Sequence, residues 1–91
     1  MPTGAPSTQK IIDAWTGVQD RWTVRRNKAR AWDGQWEVLH SWGDPEVIDQ
    51  NTQRVVERYL SEHAAHARAY DLEMLARAGA VQTMFVEWNK K

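Results

Sequence analysis

Between Ile11 and Leu39 apolar side chains recur at alternating steps of four and three: Ile11, Trp15, Val18, Trp22, Ala29, Trp32, Trp36 and Leu39, with Arg25 the one interruption. A seven-residue repeat holding two apolar positions keeps one stripe on one side of a helix, and such a stripe needs a second helix to cover it. Four of the chain's six tryptophans lie on it. The stripe keeps its phase past Gly17 and through Asp33-Gly34, a dipeptide typical of turns. The pattern therefore predicts one helix from about Gln9 to His40, bent at Gly34.

The segment Ser41-Trp42-Gly43-Asp44-Pro45-Glu46 is the clearest punctuation. Gly43 suits a helix end at positive φ, Asp44 a cap, and Pro45 a first helical position where its missing donor is not needed. A second helix is predicted from Pro45 to Ala78, stopping at Gly79 with Arg77 in its last turn. Its apolar residues repeat at eleven rather than seven, as in Ile48, Tyr59 and Tyr70, so the two helices cannot form one long regular coiled coil. Ala64, Ala65, Ala67 and Ala69 leave room for the indoles. From Ala80 to Asn89, Val81, Met84, Phe85 and Trp88 fit one face of a short helix, although Ala80, Met84, Val86 and Trp88 also alternate as a strand does. Residues 1–8 hold Pro2, Gly4 and Pro6 and read as a flexible arm, with Ser7 or Thr8 capping the first helix. The expected fold class is all-α: a long antiparallel helical hairpin with a short C-terminal amphipathic helix, residues 9–91 forming a single helical domain.

At 91 residues there is room for one core. Apolar residues at 42% and charged residues at 26% are ordinary globular usage, so folding is expected. Twelve basic residues balance twelve acidic ones, which leaves no global field to draw the chain onto nucleic acid or anionic lipid. The distribution is uneven, because residues 21–30 carry five cations and no acid. There is no cysteine for a disulfide framework or a thiolate metal site. No apolar run approaches a membrane span or a secretory core, so no membrane association is expected, and the predicted location is the cytoplasm or a large assembly made there.

Candidate chemistry is thin. Arg21, Arg25, Arg26, Lys28 and Arg30 with flanking tryptophans suggest phosphate contacts and base stacking. The competing reading is a solvated face whose arginines pair with Glu57, Glu62 or Asp71. Glu62 and His66 share a helix face, but His63 points about 100° away from Glu62, so no metal site is expected. With no phosphate loop, nucleophile elbow or paired-carboxylate spacing, neither catalytic residues nor a cofactor are expected, and the chain reads as non-enzymatic. More apolar surface is present than one hairpin covers. Trp42, Val81, Met84, Phe85 and Trp88 are the candidate anchors toward a protein partner or a second copy, unless the last helix folds back to complete a three-helix monomer. The functional expectation is an assembly or adaptor subunit, a role that small cysteine-free helical proteins fill among phage structural and accessory proteins. The alternatives are a small nucleic-acid-binding regulator and the accessory subunit of an oligomeric enzyme.

Overall fold

The computed structural model describes residues 6–43 and 52–90. In chain order the elements are α1 (Thr8–Thr16), β1 (Arg21–Arg26), β2 (Trp36–Ser41), β3 (Gln53–Tyr59) and α2 (Glu62–Asn89). The strands form one antiparallel sheet in the order β1-β2-β3. The fold is α+β, which overturns the all-α class and the long helical hairpin.

The physical reason lies in a second periodicity. In β1, Trp22 and Val24 alternate with Arg21, Thr23 and Arg25, which suits a pleated strand whose side chains point to opposite faces in turn. Pairing of β1 with β2 runs from Arg21 opposite Ser41 to Arg26 opposite Trp36. Even-numbered residues of both strands thus share one face, and odd-numbered residues share the other. Arg25 interrupts the predicted helical stripe because it belongs to the face opposite Trp22. Asp33-Gly34 is a true turn after all. A single 3₁₀ turn, Lys28–Arg30, is capped by the Asn27 side chain, and the loop closes where the Asn27 amide donates to the Gln35 carbonyl at 2.6 Å. Gly34 sits at φ 123°, and a Cβ there would lie 2.8 Å from Arg58 Cβ.

On the second side of β2, Trp36 and Val38 oppose Tyr59 and Glu57, whereas Leu39 opposes Val55. The register shift leaves Val56 without a partner, a β-bulge. It turns Glu57 and Tyr59 toward the even-numbered face and Val55 toward the odd one, although Val55 and Glu57 are two apart.

Two compact units divide the chain. One is Gln19–Glu73; the other joins Met1–Val18 to Met74–Lys91. In the first, Val38, Ala65 and Ala69 are buried, with Trp22, Val24, Trp36, Tyr59 and Leu72 packed against them. Indoles do meet the α2 alanines, but the sheet carries them. In the second unit the Ser7 hydroxyl caps α1 by accepting from the Lys10 amide, and α1 ends at Gly17, whose amide donates to the Asp13 carbonyl at 2.8 Å. The Lys10 ammonium lies 5.1 Å from the centre of the Trp88 ring, and Arg77 donates to the Trp15 carbonyl at 3.1 Å. These contacts set α1 antiparallel to the distal part of α2.

Of the predicted helices, 9–40 is real only over α1, and 45–78 is replaced in part by β3. The break at Gly79 does not occur: α2 passes through it, and the 80–89 segment is helical but continuous with what precedes it. Gly43 does adopt positive φ, at 91°, beyond the end of a strand rather than a helix. The predicted roles of Asp44 and Pro45, the Ile48 position and most of the N-terminal arm lie outside the described residues. Each half of α2 has its own apolar phase. At about 100° per residue, Ala65, Ala69 and Leu72 centre roughly 150° round the helical wheel from Val81, Met84, Phe85 and Trp88.

Two glycine substitutions should therefore move stability in opposite directions. Gly34→Ala meets both the positive φ and the Arg58 backbone and should cost at least about 2 kcal/mol in urea unfolding. Gly79→Ala meets open space within a helix and should stabilise by about 0.5 to 1 kcal/mol.

Candidate functional site

The odd-numbered face of the sheet carries a charged group held in an unusual place. Glu37 is only 1% exposed. Direct pairing across both neighbouring strands sets Arg25 on one side of it and Arg58 on the other. Arg25 donates to Oε1 through Nε at 3.2 Å and Nη2 at 2.8 Å, while Arg58 Nε donates to Oε2 at 3.1 Å. Burial works to raise the Glu37 pKa. Hydrogen bonds from Arg25, Asn27 and Arg58, with the Arg25 charge, outweigh it and hold the carboxyl below its ordinary range. All three strands are thus clamped on one carboxylate.

The even-numbered face has its own polar tie. Glu57 accepts from the Tyr59 hydroxyl at 2.5 Å and from Arg68 Nε at 3.0 Å, so the tie reaches from β3 to α2. The Tyr59 and Arg68 hydrogen bonds, against burial, hold Glu57 below the usual carboxylate range. The same hydrogen bond to Glu57, with burial, pushes the Tyr59 phenol up.

At the end of β2 the His40 ring stacks on Trp22 with centroids 4.8 Å apart and lies 5.4 Å from Trp42. Its Nε2 is 2.8 Å from Asp20 Oδ1. The Asp20–His40 pair has the first two parts of a nucleophile-activating triad. Ser41, next along the strand, belongs to the opposite face and cannot complete it. The arrangement fixes an imidazole between indoles.

The predicted nucleic-acid contacts are dispersed by the strand. Arg21 and Arg25 belong to the odd face and Arg26 to the even one, where its guanidinium lies 5.4 Å from the Trp36 ring centre and its Nε donates to Gln35. Arg25 is committed to Glu37 and Arg30 to Asp33 at 2.9 Å, and Lys28 stands exposed in the 3₁₀ turn. Glu57 pairs with Arg68 of α2 rather than with the 21–30 segment. Among the predicted partner anchors, Val81, Met84, Phe85 and Trp88 are half-buried on α2, while Trp42 is 40% exposed beside His40. Sequence reasoning missed the most exposed indole. Trp32, placed by the heptad in a buried seam, is 93% exposed in the β1–β2 turn. Its position beside Asp33-Gly34 was the available signal.

Glu62 and His66 do share a face of α2, 3.6 Å apart, and His63 is exposed. Among the described residues no three histidine or acidic side chains converge on a metal position. No helix of the described residues is long and apolar enough to cross a membrane. Comparison of the chain with protein-family models, curated proteins and solved structures finds no match.

Two expectations follow from the charge geometry. Replacing Arg25 and Arg58 together by Met leaves the Glu37 carboxylate covered but without its cations, and should cost about 3 kcal/mol or more. A further Glu37→Gln change in that background should recover part of the loss. For pH, the folded pKa values of Glu37 and Glu57 lie below the ordinary 4.5. Their stabilisation is therefore complete above that value and lost as pH falls through the lowered ones. The urea midpoint should drop between roughly pH 5 and pH 2, and Glu57→Gln should be weaker than the parent at pH 7 but nearly equal to it at the acid end.

Proposed function

We propose that this chain is a non-catalytic assembly subunit that associates with a second copy of itself through its α1 and distal α2 helices. One observation carries the reading: no residue of α1 is buried, and none of α2 beyond Ala69 is. Two helices that fully bury no side chain between them gain little from each other, and the usual remedy is a further pair of helices. Apolar side chains stand ready for it. Ile12 is 46% exposed and Leu75 63%, with Val86 and part of Trp15 also exposed. Leu75 and Val86 are eleven residues apart, three helical turns, so they form one row along α2. The half-covered Val81, Met84, Phe85 and Trp88 supply the bulk that a symmetric partner would finish burying. A two-fold pair is the commonest closed arrangement of identical chains. The proposed location is the cytoplasm, or an assembly made there.

Solution mass against concentration tests this directly. The isolated chain should dimerise, and Leu75→Glu should weaken the dimer at least about 30-fold while circular dichroism stays unchanged. Trp32→Ser, outside the helix pair, should leave the mass as it is. A folded monomer at every concentration overturns the reading.

A further inference from the structure

The turn between β1 and β2 holds the most exposed large apolar side chain among the described residues, Trp32, at 93%. We infer that this turn binds single-stranded nucleic acid, with the Trp32 indole stacking on an unpaired base while Arg26 and Lys28 meet the phosphates beside it. The turn is built to hold that ring out. The Asn27 side chain caps the 3₁₀ turn by accepting from the Ala29 amide at 3.2 Å, and the Arg30 amide donates to the Asn27 carbonyl at 3.0 Å. The Gly34 amide then donates to the Arg30 carbonyl at 3.1 Å, and the Arg30 guanidinium pairs with Asp33 at 2.9 Å. Trp32 is the central residue of that closed stretch from Arg30 to Gly34. It adds nothing to the core, whereas its ring is open to a base, and every base has a π-face to offer.

Charge selects the partner. β1 ends at Arg26, directly opposite Trp36 at the start of β2, so residues 26–36 all belong to one end of the sheet. Residues 26–35 carry Arg26, Lys28 and Arg30 against Asp33, three cations to one acid and a surplus of two. Lys28 is exposed, and neither it nor Arg26 makes an ion pair among the described residues. Arg26 gives Nε to the Gln35 side chain and lies against the Trp36 ring, which leaves its other donors for a phosphate. An anionic bilayer would also satisfy the cations, but it would meet the exposed Asp33 carboxylate next to the indole, and the turn has no second large apolar side chain to sink with it. A protein groove favours an indole ringed by apolar neighbours, and here the neighbours in the turn are alanines and charges. In a duplex the base faces are stacked on each other, so only the phosphate attraction would remain.

Fluorescence anisotropy of a labelled twelve-nucleotide thymidine strand, titrated with the whole chain, tests the assignment. Binding should saturate and weaken about seven- to eighteen-fold between 50 and 200 mM salt, as expected for two to three phosphates on a single strand at a slope of about −0.7 each. Trp32→Ala should weaken it at least fivefold with circular dichroism unchanged, and Trp32→Phe, which keeps a ring, should retain most of it. Lys28→Gln should weaken binding and lower the salt slope by roughly 0.7 to 1. A duplex of the same length should bind at least fivefold more weakly than the strand. Strand binding indifferent to Trp32→Ala, equal affinity for strand and duplex, or no saturable binding at 50 mM salt overturns the inference. So does Trp32-dependent binding to vesicles of phosphatidylserine and phosphatidylcholine with none to the strand, which assigns the turn to a lipid surface instead.

Discussion

The sheet of this small protein is organised round the Glu37 carboxylate. A three-stranded sheet has one central strand, and here that strand places a charge where solvent barely reaches it. Such a group is tolerable only if each oxygen is hydrogen-bonded and its charge is met, and the two flanking strands each supply a guanidinium at the directly opposed position. A one-residue slip of either strand would move its arginine to the opposite face and leave the acid unanswered. The clamp therefore fixes register as well as charge, which a purely apolar position such as Val38 does less sharply. It also explains why the basic character of residues 21–30 is less available than composition implies, since Arg25 is paired with Glu37.

Much of the secondary structure was present in the sequence, but in competition with a stronger-looking pattern. Trp22 and Trp36 are fourteen apart, and an interval that satisfies two heptads also satisfies a hairpin in which even-numbered residues share a face. Local chemistry broke the tie: Thr23 and Val24 favour a strand, and Asp33-Gly34 requires a turn, since only glycine adopts the Gly34 geometry beside Arg58 without strain. Periodicity over a long window outweighed these local signals, and it should not have. The Ser7 cap and the helicity of Val81 to Trp88 were legible because each rests on short-range rules. The Glu37 clamp was not, because it joins residues twelve and twenty-one apart through strand pairings that no local pattern announces.

The long C-terminal helix contributes residues to both compact units. Alanines dominate where it meets the sheet, so that Trp22 and Trp36 have space against Ala65 and Ala69. Towards its C-terminal end, beyond Ala80, the helix carries the larger Met84, Phe85 and Trp88. A stop was expected at Gly79 because glycine commonly ends a helix and Arg77 suits a last turn, but the helix runs through it without a break.

The unpaired Val56 gives β3 a division of labour that an uninterrupted strand is denied. Side chains two apart along a regular strand are condemned to the same surroundings; with one supernumerary residue between the paired stretches, Glu57 serves the helix while Val55 lies beside Leu39 on the other face. Removing that residue would invert everything upstream of it, exchanging the roles of Arg54 and Val55 without altering either. The chain's capacity to present different chemistry on its two sides thus hangs on the parity of a seven-residue segment, a property that substitution scanning would overlook and that a single-codon deletion would expose.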